Sequence, residues 1–257
     1  DAFKLYDTFG FPIDLTSLIA SEKSFKVDID GFDKNMEIQK NRSKSKKNDD
    51  LSEWIIINDN ISSSVFKGYD LSEVDGKICK YREVKSEDGN VNYHIVTDVT
   101  TFYPEGGGQI GDTGKIVSSS EEIHVIDTFK DNADIIHLTK NLPSNIESQV
   151  KLKISKDRRS LIEANHTGTH LLHQALRVIL GEHVEQRGSM ISEEMFRFDF
   201  SHPSKLSNSD LDSINSFVNS KIKESIPLVE NRDEDYNTAI KNGAIGLFTE
   251  KYEDKVR

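Results

Sequence analysis

Cysteine is almost absent from this chain. Cys79 is the only one, so no intrachain disulfide can form, and a reducing, cytoplasmic setting is the simple expectation. Long apolar runs are also missing. No stretch of about 18 apolar residues occurs, which excludes a helix of membrane-spanning type. No Met and no signal-peptide pattern opens the chain, which begins "DAFKLYDTFG" and is read as a piece of a longer protein. Positive charge is in deficit, with a net charge of −11. That argues against a wholly basic nucleic-acid coat but leaves room for a local basic patch. Lys40, Arg42, Lys44, Lys46 and Lys47 form such a patch in "KNRSKSKK", readable as a solvated linker or as a phosphate-touching segment.

What is present divides along the chain. The 257 residues allow one large domain or two modest ones. Residues 1–22 suggest a short helix to about Ala20, capped by Asp14 or Thr16 after the turn residues Gly10 and Pro12. Residues 28–47 read as a polar helix with a thin apolar face. From 51 to 154 short β-type runs ("KICKYREV", "NVNYHIVTDVT", "EEIHVIDTF", "DIIHLT", "QVKLKI") alternate with turn residues, which predicts a small barrel or sandwich. From 155 the text turns to α+β. Ser160 and Glu163 have capping-box spacing and Gly181 can end the helix. "MFRFDFS" reads as a strand, "SNSDLDSINSFVNSKIKES" as a helix, "IPLVENR" as a strand and "DEDYNTAIKNG" as a short helix.

Two stretches carry chemistry. The first is "EANHTGTHLLHQALRVILGEHVEQRG". On a helical wheel His170 and His173 fall at about 40° and about −20° from His166, opposite Leu172, Leu176 and Ile179. The i, i+4 pair His166 and His170 has the spacing that lets two imidazoles share a divalent ion. Thr167 stands where a metalloprotease would carry its Glu, so that chemistry is excluded. A solvent-facing polar ridge remains the other reading. His173, His183 and His202 are possible additional ligands. Gly168 falls on the packed side and implies a close neighbour there. The second stretch is "FYPEGGGQIGDTG", with five glycines in Phe102–Gly114. It is neither a P-loop nor a dinucleotide fingerprint. It is a tight corner between strands or a place where backbone approaches a ligand, with Glu105 and Gln109 bracketing Gly106, Gly107 and Gly108.

In this order these segments resemble the alanyl-tRNA synthetases. "DAFKLYDTFGFPIDLT" resembles the end of that family's tRNA-recognition region. "FYPEGGGQIGDTG" resembles its editing-domain glycine motif. "NHTGTHLLHQALRVILGEHVEQRGS" with "RFDFSH" resembles its zinc-bearing editing core. The resemblance implies three parts: 1–50, the end of a helical tRNA-recognition region and linker; 51–154, a β-barrel-like glycine-motif subdomain; 155–257, an α+β editing core with a His-bearing helix packed on an antiparallel sheet. It implies that the chain is part of an enzyme charging tRNA(Ala) with alanine, and that this part hydrolyses Ser-tRNA(Ala) and Gly-tRNA(Ala). A pocket for a methyl group discriminates by only about 10–200-fold, so such correction is needed. The family site is His-x-x-x-His followed much later by Cys-x-x-x-His. Zinc would thus be held by His166 and His170 with two ligands beyond Arg257. Glu105, Gly106, Gly107, Gly108, Gln109, Thr169 and Gln186 would meet the tRNA acceptor end or the aminoacyl group. ATP and Mg2+ would belong to the aminoacylation domain, which this chain lacks, and the other domains of the parent would be partners. A free-standing trans-editing hydrolase, a tRNA-binding module without catalysis and a generic zinc hydrolase are the competing readings.

Overall fold

The computed structural model describes residues 2–9, 12–23, 25–36, 50–58, 64–85, 89–118, 121–244 and 254–256. The basic run Lys40 to Lys47 lies outside them. The architecture is α+β, and the chain forms two compact units, one of residues 1–52 with 84–91, the other of 53–83 with 92–257.

The first unit contains helices Ala2–Phe9 and Ile13–Glu22. The second begins right after Pro12, whose φ of −60° is fixed by its ring. Pro12 therefore stands at the cap, not Asp14 or Thr16, and the Thr16 hydroxyl instead donates back to the Pro12 carbonyl at 3.1 Å. Of the polar helix expected at 28–47, residues 29–36 are helical, Asp28 just precedes the helix, and 37–47 lie outside the described residues. Its one buried side chain, Phe32, meets Phe3 and Tyr6 edge-on at 6.3 and 5.5 Å. Strand β1 (Asp50–Leu51) pairs with Lys85 and Val84.

The second unit holds the barrel. Strands β2 (Ile55–Ile56) and β3 (Val65–Phe66) precede the long β4 (Glu73–Lys85), then β5 (Val91–Thr97), β6 (Val99–Thr100), β7 (Gly114–Val117), β8 (Glu122–Asp131), β9 (Asp134–Thr139) and β10 (Gln149–Ile154). The order β4-β10-β7-β8-β9-β5 closes on itself through β5 and β4, a six-stranded antiparallel barrel. Period-two alternation produces it. Val150 and Leu152 point inward, while Lys151 and Lys153 point out to Asp75 and Glu73 on β4 at 2.8 and 3.5 Å. Ile78, Ile95, Phe102, Ile116, Ile123, Val125, Val150 and Leu152 fill the interior.

β10 leads directly into the helix Lys156–Leu180, where the period-two alternation ends. Ser155 is its cap, five residues before the Ser160 start expected from the capping box, and Ser160 is interior. The earlier start follows from anchoring: the Ser155 N–H donates to the Thr113 carbonyl at 2.8 Å. The far end is Gly181 at φ 118°, as expected from sequence. Strands β11 (Gln186–Ile191) and β12 (Phe196–Phe200) form an antiparallel hairpin. Helix Asn208–Lys223 completes a second core, where Ala175, Leu176, Val184 and Ile214 are buried against Phe198, Phe200 and Phe217. The run "IPLVENR" is not a strand. Leu228 and Val229 are 87% and 81% exposed, and no neighbouring strand pairs with the run among the described residues. Helix Tyr236–Lys241 follows, with short strands β13 (Glu234–Asp235) and β14 (Lys255–Val256). Among the described residues no helix is long and apolar enough to cross a membrane.

Candidate active site at the glycine turn and the histidine helix

The glycine run makes a two-residue turn. Gly106 and Gln109 exchange backbone hydrogen bonds of 3.0 and 2.9 Å, and Gly107 and Gly108 between them take φ of 58° and 79°. Two successive left-handed residues are what a type I′ turn requires, and glycine adopts them without a steric penalty. At Gly108 space is limiting too, because a Cβ would lie 2.2 Å from the Ser189 hydroxyl. The turn therefore docks backbone-first on β11. The Ile191 N–H donates to the Gly108 carbonyl at 2.7 Å, and the Ile110 N–H donates to the Ile191 carbonyl at 3.1 Å.

This docking carries Gln109 under the histidine helix. Gln109 is buried, and its Oε1 lies 2.8 Å from Nδ1 of His166. An amide oxygen only accepts, so Nδ1 of His166 carries a proton, and in the neutral ring the lone pair is then on Nε2. His166 and His170 stand side by side, with centroids 5.1 Å apart and planes 14° from parallel. A carbonyl that holds one ring nitrogen, leaving the other to bind, is the usual support of a metal-ligating histidine. The pair thus fits half of a zinc donor set. Among the described residues no group of three or more His, Cys, Asp or Glu is arranged to hold a metal.

The other histidines behave differently. His173, expected on the solvent ridge, is buried, because Phe198 of β12 lies 5.2 Å from its ring. Burial pushes its pKa down, a bond to the Val184 backbone opposes this and the Arg177 and His170 charges add to it, and among the described residues its Nε2 has no hydrogen-bond partner. His183 and His202 bond each other at 3.0 Å. Thr169 is buried and its hydroxyl donates to the Asn165 carbonyl at 3.0 Å. Gln186 donates to the Ser189 hydroxyl at 3.2 Å, and Ser189 is the residue on which Gly108 sits. Gly168 does face a close neighbour: a Cβ there would lie 3.1 Å from the Phe196 ring.

The residues that fasten turn to helix carried no signal in the sequence. Arg159, in the first turns of the helix, is buried. It forks onto the buried Asp112 of the glycine motif and donates to the carbonyls of Gly68 (2.9 Å) and Thr101 (3.2 Å). Asp112 also accepts from the Tyr103 N–H at 2.7 Å. Arg158 donates to the Gly111 carbonyl at 2.8 Å and pairs with Glu193 at 2.9 Å, and Asn165 donates to the Ser192 carbonyl at 2.8 Å. These bonds hold the loop, the helix and the β11–β12 hairpin in one arrangement. Glu105 is exposed and lines a cleft of about 500 Å³ with Gly106 and Gly107.

Against known proteins, the family model described as tRNA synthetases class II (A) matches residues 1–159. The chain is 49% identical over 257 residues to an alanine–tRNA ligase of Christiangramia forsetii. It is 46% identical to those of Bacteroides fragilis and Cytophaga hutchinsonii. In each case all of this chain is covered, and it spans 29% of the relative's length.

Proposed function

The chain belongs to the class II (A) tRNA synthetase family, and on that premise we propose that it is the editing part of an alanine–tRNA ligase, hydrolysing the ester that links serine or glycine to the 3′ end of tRNA(Ala). The observation that carries this reading is the 2.8 Å bond between Gln109 and His166, which joins the glycine motif to the histidine pair. Neither motif alone distinguishes a hydrolytic site from a packed corner. Joined, they offer bare backbone for a ligand to approach and a histidine held in one tautomer beside a second.

The residues divide the work. Gly106, Gly107 and Gly108 let the acceptor end lie against backbone. Gln109 fixes the Nδ1 proton of His166. Arg159 and Asp112 keep the turn registered on the helix. Gln186 positions Ser189 beneath Gly108. His166 and His170 would hold zinc together with ligands supplied beyond Arg257; a bound zinc supplies Lewis-acid polarisation or an anchor for the substrate amine. The reaction breaks the ester carbonyl–oxygen bond with water, giving the free amino acid and a 3′-terminal hydroxyl. ATP and Mg2+ serve the aminoacylation part that lies outside this chain.

The test is single-turnover hydrolysis of Ser-tRNA(Ala) by the full-length protein and by its His166→Ala variant. The variant should lose at least about 100-fold in rate, together with bound zinc, on the scale expected when a metal-dependent step is removed. Hydrolysis at the parental rate by the variant contradicts the proposal.

A further inference from the structure

The cleft beside the glycine turn shares Glu105, Gly106 and Gly107 with the site described above, but its other lining residues have no part in that site. Its lining includes the aromatic Phe66, Tyr69 and Tyr103, the apolar Ile135, and the charged Glu105 and Lys130. Phe66 meets Tyr69 edge-on at 4.9 Å and 88°, and Tyr103 at 6.1 Å and 70°. Phe66 thus stands at a steep angle to both tyrosine rings, and the three together make an aromatic corner. Tyr69 is 53% exposed, so much of that aromatic surface faces solvent. Large aromatic surface left exposed in a concavity of this volume is unusual for a part that serves packing alone.

The corner is built rather than incidental. β3, which carries Phe66, pairs in parallel with β6, and the Lys67 N–H donates to the Thr100 carbonyl at 2.8 Å. Gly68 has no room for a side chain, since a Cβ would fall 2.2 Å from the Thr101 carbonyl and 2.5 Å from the Phe66 ring. Its own carbonyl is held by Arg159. On the other side of Tyr69, Asp70 takes both arms of the Arg232 guanidinium at 2.9 and 2.7 Å, and Glu230 holds that guanidinium in turn at 3.0 Å. The loop bearing Tyr69 is thus tied down before and after the ring.

From this arrangement the geometry points to a stacking subsite for a nucleobase of a single-stranded RNA 3′ end. Every base has an apolar π-face that an aromatic ring accepts, and a polar edge that needs hydrogen-bonding groups at the rim. Glu105 offers an acceptor for an exocyclic amine or a ribose hydroxyl. Lys130 offers a cation to a phosphate on a body that is otherwise acidic. An aliphatic ligand would leave both charges unused. Continuity with the hydrolytic site gives the direction of the strand: Glu105, Gly106 and Gly107 line the cleft, and the other end of the same turn, Gln109, holds His166. A base seated in the cleft puts the following linkage at the turn. The assignment rests on the editing proposal for its choice of RNA, but its contacts are separate from the histidines.

Binding of a 5′-labelled CCA trinucleotide to the intact chain, followed by fluorescence anisotropy, tests it. Tyr69→Ala should weaken binding about five- to hundred-fold, as loss of one base–aromatic stack does. Its thermal midpoint should not move, because the ring is largely exposed. Lys130→Gln should weaken binding and flatten its salt dependence. AMP should bind more weakly than CCA. The assignment is overturned if CCA fails to bind at millimolar concentration, if Tyr69→Ala and Phe66→Leu both bind as the parent does, or if AMP outcompetes CCA. Tyr69-dependent CCA binding without Ser-tRNA(Ala) hydrolysis would uphold the cleft and remove the editing reaction.

Discussion

Gln109 and His166 are 57 positions apart in sequence and share a hydrogen bond of 2.8 Å. One lies in a glycine turn between strands, the other on a long helix. Their contact makes one site of two motifs, and it sets the proton position on the imidazole. Glutamine suits this place because it is neutral: a carboxylate there would hold His166 as an imidazolium and remove the Nε2 lone pair.

The first prediction concerns the turn. Gly108→Ala should destabilise the protein by about 2 kcal/mol or more, since φ is 79° and the new methyl would strike Ser189. Gly106→Ala should be nearly neutral, within about 0.5 kcal/mol, because its nearest atom is the Pro104 carbonyl at 3.7 Å. Urea unfolding of the two variants measures the contrast. Equal effects would mean that the docking of Gly108 on β11 is not limiting.

The second concerns the clamp. Arg159→Met leaves Asp112 buried without its partner and should cost about 3–5 kcal/mol. Adding Asp112→Asn should recover part of that loss, because the stranded charge is gone. A double variant as unstable as the sum of the two singles would show that the pair does not act as a unit.

Much of the barrel was legible in the sequence. "QVKLKI" and "DIIHLT" fall on β10 and β9 residue for residue, the first because one buried face forces alternation, the second as a short apolar run buried on both faces. The apolar face of the histidine helix, Leu172, Leu176 and Ile179, likewise packs into the second core. "IPLVENR" has the same composition as a strand, yet no strand pairs with it among the described residues; propensity cannot supply a neighbouring strand. His173 misled for a related reason. A helical wheel gives an angle, not what stands opposite, and Phe198 stands opposite. Arg159 and Asp112 were illegible, since a buried arginine has the same letter as a surface one. The His166–His170 spacing was visible at once, but the acceptor that orients it was not, because long-range pairing leaves no local trace.

The third concerns pH. His137 is fully buried in the barrel, bonded to the Thr100 hydroxyl at 2.8 Å and the Ile95 carbonyl at 3.0 Å, and burial pushes its pKa down to about 4. The unfolded chain takes up this proton near 6.5, the folded chain only near 4. The contribution is therefore complete above pH 6.5 and is lost as pH falls toward 4, on the order of 3 kcal/mol in all. Thermal unfolding from pH 7 to pH 4 should show that loss, and His137→Gln should flatten this part of the profile. An unchanged slope in the variant would place the acid sensitivity elsewhere.

The most direct measurement is a double-mutant cycle on Ser-tRNA(Ala) hydrolysis by the full-length protein, using Gln109→Ala, His166→Ala and both together. If turn and helix form one site through this bond, each single substitution slows hydrolysis, and the double variant is no slower than the worse single, within about threefold. Effects that multiply, or a Gln109→Ala variant that hydrolyses at the parental rate, would contradict a site built on the Gln109–His166 bond.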